Sequence, residues 1–407
     1  MFSKRLPWPA PRNRLALLLQ EKRARGAPIL DLTESNPTRV GLDYPTREIA
    51  AALAATGAAA YEPDPRGLAE AREAVAACYR RRGLEASPDR IVLTSSTSEA
   101  YAFLFKMLGD PGEAVLAPRP SYPLFDFLAA LESLRVVTYP IAIDGVPAID
   151  LQALEREAED AEGAALRTII VVSPNNPTGS ALRASERAGL EAIAVRRRLP
   201  IVADEVFFDY PFADPAGERP AGGPIVSMLS PLPRAAAGER ALAFTLGGLS
   251  KSCGLPQIKL AWIVVSGPER EAGEAIERLE LIADTYLSVG APAQRAAPRL
   301  IEIGEGIGRS IRERVRENRR ALAGLSASLP ACRLLPADGG WSAVLQVPAV
   351  LPEEELVLRL LAEDDTLVHP GYFFDFPREA FLVVSLLPPA DRFLEGVRRI
   401  LARVAAL

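Results

Sequence analysis

Short apolar runs recur between residues 91 and 265, and most of them are separated by longer stretches with helical periodicity. The runs are almost continuously hydrophobic, which is typical of strands in a sheet that is covered on both faces. We predict buried strands at residues 91–94, 114–117, 135–139, 168–172, 201–203, 242–246 and 260–265.

The helical patterns between these runs lie at residues 99–108, 122–132, 151–161 and 184–197. Regular alternation of strands and helices predicts an α/β domain with a large, doubly wound, mostly parallel sheet. Active sites in such sheets lie beyond the carboxyl ends of the strands. Polar clusters that directly follow a strand are therefore the first candidates for chemistry.

The last third of the chain has a different pattern. A charged and apolar helical stretch at 269–329 is interrupted near 290–292, and a smaller α+β unit follows it. We expect the N-terminal segment to pack with that unit, which gives a large domain at 36–290 and a small domain made from 1–35 and 291–407. In the small unit we predict strands at 341–347, 367–369 and 381–387 and helices at 353–363 and 391–405; residues 209–240, rich in Pro, Gly and Ala, are predicted to form a long loop.

Composition excludes several classes of partner. Apolar residues make up 49% and charged residues 24% of the 407 residues, and the net charge is −5. The chain has no basic tract of the kind that binds nucleic acid, and no apolar run approaches the roughly 18 residues of a membrane span. The apolar patch at 15–19 is typical of an amphipathic helix rather than a signal peptide. Three scattered cysteines imply no disulfide framework, so we expect a cytoplasmic protein.

Histidine and cysteine are too scarce for two common kinds of site. The single histidine is His369, and no cysteines are paired at ligand spacing. The usual zinc sites need clusters of these residues, so we expect no metal. A Ser-His-Asp hydrolase is also disfavoured.

Lysine is rare in this chain, with five lysines against forty-two arginines. Lys251 lies in the segment Leu246-Gly-Gly-Leu-Ser-Lys-Ser-Cys-Gly-Leu-Pro256. If the Lys251 amine reacts with an aldehyde, an arginine could not replace it. An ammonium group can lose its proton and attack, whereas a guanidinium stays protonated. From this segment alone, a solvated loop lysine is an equal alternative.

Polar clusters follow four of the predicted strands. Ser95-Ser-Thr-Ser98 precedes a helix and is suited either to capping that helix or to binding an anion at its N-terminus. Ser173-Pro-Asn-Asn-Pro-Thr-Gly179 is either a tight turn or a source of side-chain amides, and Asp204 is either a cap or a carboxylate presented to a ligand. Together with Ser250-Lys251, these groups match what pyridoxal 5′-phosphate (PLP) needs: a lysine, an anion beside its ring nitrogen and donors for its phosphate.

The chain resembles the class I/II, fold-type I PLP-dependent aminotransferases over nearly its whole length. Asn176-Pro-Thr-Gly179, Asp204-Glu-Val206 and Ser250-Lys-Ser-Cys-Gly-Leu-Pro256 occur in the order and at the spacing of that family. The resemblance implies a large α/β domain with a smaller α+β domain and transfer of an amino group between an amino acid, or a related amine, and a 2-oxo acid by a ping-pong mechanism. The cofactor-binding residues it implies are Ser96, Thr97, Ser98, Tyr122, Asn176, Asp204, Ser250, Lys251, Lys259 and Tyr61.

The resemblance also assigns roles. Lys251 looks like the lysine that forms the Schiff base with PLP and then moves the substrate proton, and Asp204 like the partner of the ring nitrogen. Asn176 looks like the amide at the phenolic oxygen, and Tyr122 like the ring that stacks on the cofactor. Tyr61 resembles a tyrosine that reaches the phosphate of a neighbouring subunit, which implies a homodimer with shared active sites.

Several positions depart from the family pattern. Phe207 replaces a tyrosine that donates a hydrogen bond to the phenolic oxygen, and the direction of the nearby Tyr210 is open. Lys259 replaces a phosphate-binding arginine, and Gly248 replaces a hydroxyl. Val383 stands where the arginine for the substrate α-carboxylate is normally found, which removes a bidentate pair.

Two explanations for Val383 stay open at this stage. Another cation, such as Arg39 or Arg378, binds the carboxylate, or the substrate lacks a carboxylate beside its amine. The candidate substrate-binding residues are Asn36, Arg39, Trp341, Tyr372 and Arg378. For Trp341 and Tyr372 a packing role is an equal alternative.

Two other functions are compatible with the same scaffold. A β-lyase, racemase or Cα-condensing enzyme would use the same cofactor contacts, because the fold does not determine the reaction. A non-catalytic PLP-binding protein is less favoured, since both Lys251 and Asp204 are present.

Overall fold

The computed structural model describes residues 2–5, 13–54, 61–161, 165–212, 224–231 and 240–407. Within these ranges the helices are α1 (Arg14–Ala24), α2 (Thr46–Ala54), α3 (Ala69–Arg81), α4 (Thr97–Leu108), α5 (Leu124–Leu131), α6 (Leu151–Asp160), α7 (Ala184–Arg197), α8 (Leu249–Ser252), α9 (Glu269–Tyr286), α10 (Ala291–Ala327), α11 (Glu353–Asp364) and α12 (Ala390–Ala405). The strands are β1 (Leu30–Asp31), β2 (Ile91–Thr94), β3 (Ala114–Arg119), β4 (Arg135–Ala142), β5 (Ala148–Ile149), β6 (Leu166–Val172), β7 (Ile201–Asp204), β8 (Ala243–Gly248), β9 (Ala261–Ser266), β10 (Arg333–Leu334), β11 (Ser342–Gln346), β12 (Thr366–Leu367), β13 (His369–Pro370) and β14 (Phe381–Ser385).

The central sheet is the large, mostly parallel sheet that the sequence predicts. Its order is β2-β9-β8-β7-β6-β3-β4-β5, and β8, β7, β6, β3 and β4 pair in parallel. The inner strands are buried on both faces, which explains their continuous hydrophobicity. All seven predicted strands are confirmed, most of them one to three residues longer than predicted.

The direction of β9 determines which strand ends meet. β9 runs antiparallel to both β8 and β2. The carboxyl end of β2 therefore lies at the same edge as the carboxyl ends of β8, β7, β6 and β3. The polar clusters after these strands converge at that edge, as the α/β pattern requires.

A second sheet has the order β10-β11-β14-β13, and β1 pairs with β12. The N-terminal segment therefore does pack with the C-terminal part of the chain. The predicted strand at 367–369 is divided, because the chain leaves the pairing with β1 at Leu367 and joins β14 at His369. Helices α10, α11 and α12 cover the inner face of the second sheet. Their apolar residues belong to the same core as Leu345 and Leu382.

Helix α10 connects the two sheets. Near its start Arg299 pairs with Glu48 of α2 at 2.9 Å, and further along Asn318 Nδ2 donates to the carbonyl of Leu386 at 2.9 Å. The predicted interruption at 290–292 is confirmed, since α9 ends at Tyr286 and α10 begins at Ala291. The domain boundaries at 35/36 and 290/291 stay a prediction, and most of the predicted loop at 209–240 lies outside the described residues.

Candidate active site

Lys251 lies in the single-turn helix α8, which follows directly from β8. The Tyr210 hydroxyl donates to the Lys251 backbone carbonyl at 2.6 Å, which holds the turn. The Lys251 Nζ lies 4.9 Å from the Trp341 ring centre and 5.6 Å from that of Phe207. Burial lowers the pKa of the Lys251 amine, and the charge of Asp204 opposes that shift in part. The amine is thereby moved toward its reactive neutral form.

Asp204 ends β7 beside Lys251. Its Oδ1 accepts from the Val206 N–H at 3.2 Å, and its Oδ2 accepts from the Tyr101 hydroxyl at 3.2 Å. Burial raises the pKa of Asp204 to about 6 although these bonds and Lys251 oppose the shift. A buried carboxylate with so high a pKa is short of positive charge, so a cationic ring nitrogen fits here. The donor set thus suits the PLP expectation.

Tyr101 was missed by sequence reasoning. It lies one turn into α4, and its ring packs edge-on against Phe125 with centres 5.4 Å apart. Burial, followed by the neighbouring charge of Asp204, raises the pKa of its hydroxyl well above the usual range. Tyr101 is therefore a neutral donor to Asp204. The neighbours of Tyr101 in sequence are mostly apolar, as in any core helix, so they do not indicate this role.

The two adjacent asparagines have different roles. Asn175 is buried, and its amide donates to the Pro120 carbonyl at 2.8 Å and to Thr178 Oγ1 at 2.9 Å. Asn176 Oδ1 accepts from the Ser342 hydroxyl at 3.1 Å, a contact between the large and second sheets. Asn175 therefore holds the turn together, and Asn176 is oriented by Ser342, another residue that sequence reasoning missed.

The segment before α4 combines both roles that its residues suggested. Ser96 Oγ accepts from the Glu99 N–H at 3.1 Å, so Ser96 caps the helix, which begins at Thr97 rather than at the predicted residue 99. The N–H groups of Thr97 and Ser98 are in the first turn, where no helix carbonyl can reach them. The helix N-terminus therefore still offers donors to an anion.

The other cofactor candidates differ in exposure. Tyr122 precedes α5 rather than opening it, and 47% of its surface is exposed. Tyr61 is 81% exposed. Ser250 is half-buried in α8, and Lys259 is exposed in a left-handed conformation with φ of 59°. Tyr122 and Tyr61 are free to contact a ligand or a second subunit.

The second sheet presents a polar but uncharged wall at Asn176. Ser342 pairs in register with Ser385, and Val383 pairs with both Val344 and His369. Val383 is buried among apolar side chains. Burial lowers the pKa of His369, against the opposing charge of Asp31, which favours its neutral form. The arginine missing from the sequence is therefore not replaced by a cation on this wall.

The remaining substrate candidates are not equally free. Arg378 is paired with Asp144 at 2.5 Å on the surface, whereas Arg39 is exposed and has no ion pair in the described part of the chain. Asn36 caps a short helical turn through a bond from the Thr38 N–H at 3.0 Å. Tyr372 is exposed against Phe373, and Trp341 is buried beside Lys251.

Glu205, next to Asp204, belongs to the core. Its carboxylate accepts from the Ser227 hydroxyl at 2.6 Å and from the Met228 N–H at 2.7 Å. Burial raises the pKa of Glu205 to about 7. Its contacts tie β7 to a neighbouring segment.

Two kinds of feature are not found in the described ranges. No group of three or more His, Cys, Asp or Glu side chains there is arranged to hold a metal ion. None of the helices there combines the length and the hydropathy that crossing a membrane requires.

Comparison with known proteins agrees with this geometry. The model of the family described as aminotransferase class I and II matches residues 27–392. The glutamate-pyruvate aminotransferase AlaA of Escherichia coli K12 is 26% identical over 398 residues, covering 92% of each chain. The alanine aminotransferase of Mycobacterium tuberculosis H37Rv is 27% identical over 404 residues, covering 93% of this chain and 86% of the relative.

Solved structures give the same fold. An aminotransferase from Escherichia coli matches with a TM-score of 0.83 at 24% identity, covering 100% of this chain and 98% of that chain. The alanine aminotransferase from Pyrococcus furiosus matches with a TM-score of 0.83 at 21% identity and covers 100% of both chains. The predicted fold class and family are confirmed. The chain belongs to the class I and II aminotransferases, a family of transaminase enzymes.

Proposed function

We propose that this protein is a PLP-dependent aminotransferase that exchanges an amino group between an amino acid, or a related amine, and a 2-oxo acid. The observation that carries the proposal is the buried pair of Lys251 and Asp204 at the carboxyl edge of the central sheet, with opposed charges and shifted pKa values. PLP, when bound, supplies an electron sink for the bond that breaks at the substrate Cα.

Each residue then has a task that follows from its place. When PLP is bound, Asp204 would hold a proton on its ring nitrogen, and Tyr101 would position Asp204. Asn176, oriented by Ser342, would donate to the phenolic oxygen. Tyr122 would cover the ring, and the phosphate would be bound by Ser96, Thr97, Ser98, Ser250 and Lys259.

Lys251 is both the attachment point and the acid–base group. Burial lowers the pKa of its amine, which favours a free base that would take the proton from the substrate Cα and, as the resulting acid, donate it to the cofactor carbon. The rings of Trp341 and Phe207 flank Nζ and exclude water from it. Alternate reaction with an amine and an oxo acid gives ping-pong kinetics.

The substrate class rests on two considerations. The relatives are named for glutamate, pyruvate and alanine, which supports small 2-amino acids and 2-oxo acids. The wall formed by Ser342, Val383 and Ser385 carries no cation, so the carboxylate has to be bound from elsewhere in the site. Of Arg39 and Arg378, only Arg39 has no ion pair among the described residues, so we assign this task to Arg39.

The decisive experiment locates the cofactor. Holoenzyme is reduced with borohydride, digested and analysed by mass spectrometry, and PLP is expected on Lys251. Lys251→Ala should lose the attachment and the turnover, whereas Lys106→Ala, at a lysine paired with Glu132 on the surface, should lose neither. Attachment at another lysine, or at none, would refute the proposal.

A second measurement separates transamination from other PLP reactions. Enzyme is mixed with single amines and no oxo acid, and absorbance is followed for pyridoxamine phosphate. A transaminase converts at most one equivalent of amine under these conditions. Continued release of pyruvate or ammonia would instead identify a lyase.

A homodimer with shared sites is also part of the proposal. A cavity of about 240 Å³ is lined by residues 61–65 and 287–291, of which Tyr61 and Leu287 expose apolar surface, and Leu281 and Tyr286 at the end of α9 are exposed as well. Such a patch suits a second copy of the chain. Mixing inactive Lys251→Ala with inactive Tyr61→Ala subunits should restore part of the activity, because one site of each mixed dimer is intact.

We further propose a cytoplasmic location. The three cysteines are buried free thiols. Reduced cysteines of this kind are typical of proteins in a reducing compartment. Location of a tagged protein in fractionated cells tests this.

A further inference from the structure

Trp341 carries a buried polar hydrogen without a partner. The residue is 2% exposed, and its Nε1 has no hydrogen-bond acceptor in the described part of the protein. The buried Trp262, by contrast, donates from Nε1 to the Tyr79 hydroxyl at 3.0 Å. Buried donors are normally paired, because an unpaired one loses its bond to water without compensation. An unpaired donor that lies beside a candidate site is therefore available to a ligand atom.

The position of this donor identifies the ligand's neighbourhood. The Trp341 ring centre lies 4.9 Å from Lys251 Nζ, and the ring packs edge-on against Phe207 and Tyr210 with centres 5.4 and 5.0 Å apart. Lys251 Nζ lies over the face of the ring, and the indole N–H extends in the plane of that ring, so the unpaired donor lies beside the Lys251 amine. Tyr210 is not a competing donor there, because its hydroxyl already binds the Lys251 carbonyl.

Two neighbours of Trp341, Phe207 and Ser342, indicate that the ligand atom is the phenolic oxygen of PLP. Phe207 occupies the position at which the resemblance expects a hydroxyl for the phenolic oxygen. Ser342, the next residue along β11, orients Asn176, which is assigned to the same oxygen. Phe207 itself can donate nothing.

We infer that the Trp341 indole N–H donates a hydrogen bond to the phenolic oxygen of PLP and replaces the hydroxyl that Phe207 lacks. This inference rests on the proposed function, since it needs PLP on Lys251. Trp341 thus has a binding role in addition to covering Lys251.

The bond has a spectroscopic consequence. A donor stabilises the negative charge on the phenolic oxygen and so weakens that oxygen's hold on the proton of the Lys251–PLP linkage. Removal of the donor should raise the pH at which the linkage loses its proton. The bound cofactor changes its visible absorbance at that pH, so the midpoint is measured without turnover.

The experiment titrates the holoenzyme and its variants by visible absorbance. Trp341→Phe is expected to raise the midpoint by roughly one pH unit and to weaken PLP binding about tenfold. Adding Phe207→Tyr to that variant should return the midpoint toward the wild-type value, because a hydroxyl is restored. Trp262→Phe is the matched control, and its midpoint should stay unchanged, because its N–H is bound to Tyr79.

A second variant separates the N–H from the shape of the side chain. Benzothienylalanine at position 341 replaces the N–H by sulfur in a ring of almost the same size, so it should fold like the wild type and reproduce the raised midpoint. An unmoved midpoint in this variant would overturn the inference, as expected if a water molecule satisfied the N–H. Failure of the wild type to bind PLP would instead overturn the proposed function.

Discussion

The Tyr101 hydroxyl donates a hydrogen bond to Asp204 Oδ2 at 3.2 Å. Tyr101 belongs to α4, which follows β2, and Asp204 is the last residue of β7. The two elements are far apart in sequence, but both meet at the carboxyl edge of the central sheet. The bond favours the charged form of a carboxylate whose pKa burial raises to about 6. Tyr101 therefore acts on Asp204 rather than on the substrate, as a positioning residue.

Tyr101→Phe should keep the fold and lower kcat about threefold to tenfold, because Asp204 loses one donor and its pKa rises further. The acidic limb of the kcat–pH profile should move to higher pH. Tyr139→Phe removes a buried hydroxyl that donates to the Ile170 carbonyl at 2.8 Å rather than to Asp204, and serves as the control. A profile that stays in place for Tyr101→Phe would exclude this role.

The inner strands of the central sheet could be predicted from sequence because most of their residues are buried on both faces and are therefore hydrophobic. The expectation that Asp204 and Lys251 belong to the site follows from their positions at the carboxyl ends of such strands. Tyr101 could not be predicted in this way, since its neighbours in α4 are the aromatic and aliphatic residues of any core helix. Its partner is determined by which strand ends meet.

The roles within a motif also needed the structure. Asn175 and Asn176 are the same residue type in adjacent positions, and only their surroundings assign one to the turn and the other to the site. Asp204 and Glu205 differ in the same way. The sequence shows that a carboxylate lies at the end of a strand. Only the backbone geometry decides whether its side chain enters the site or the core.

Arg39→Ala should raise the KM for a 2-oxo acid about tenfold or more, with a smaller change in kcat, because a charged hydrogen bond to the carboxylate is lost. The segment that leads to Arg39 contacts the second sheet at Leu32, whose carbonyl accepts from the Ser385 N–H at 2.7 Å. Arg378→Ala should leave KM almost unchanged, since Asp144 already pairs with Arg378.

Unchanged KM in both variants would remove the assigned carboxylate site. The explanation in which the natural substrate lacks a carboxylate beside its amine would then be favoured. Comparison of an amino acid with its decarboxylated amine in single-turnover reactions distinguishes these cases.

Ser342→Ala should weaken PLP binding a few-fold, because the Asn176 amide loses the donor that orients it. The bond spans the two sheets at 3.1 Å, so the variant should also loosen their contact. PLP affinity is measured by fluorescence quenching during reconstitution. Ser328→Ala, at an exposed hydroxyl bound to the Leu325 carbonyl, is the matched control; equal affinities in the two variants would contradict the orienting role.

Glu205 should make the apoprotein less stable as the pH rises from about 4.5 to 7. Burial raises its pKa from 4.5 to about 7, so the folded protein holds a proton in this range that the unfolded chain has lost. The stabilisation is complete below about pH 4.5 and is lost as the pH passes 7. For a shift of this size the loss amounts to about 3 kcal/mol.

Glu205→Gln should remove this pH dependence, because the amide does not titrate and still offers an oxygen to Ser227 or Met228. Urea unfolding from pH 4 to 8 measures the difference between variant and wild type, in which the contribution of Asp204 cancels. That difference should move in favour of the variant by up to about 3 kcal/mol as the pH rises. Glu277→Gln, at an exposed position in α9, should follow the wild type throughout. Parallel curves for Glu205→Gln and the wild type would mean that Glu205 has the same pKa in the folded and the unfolded protein.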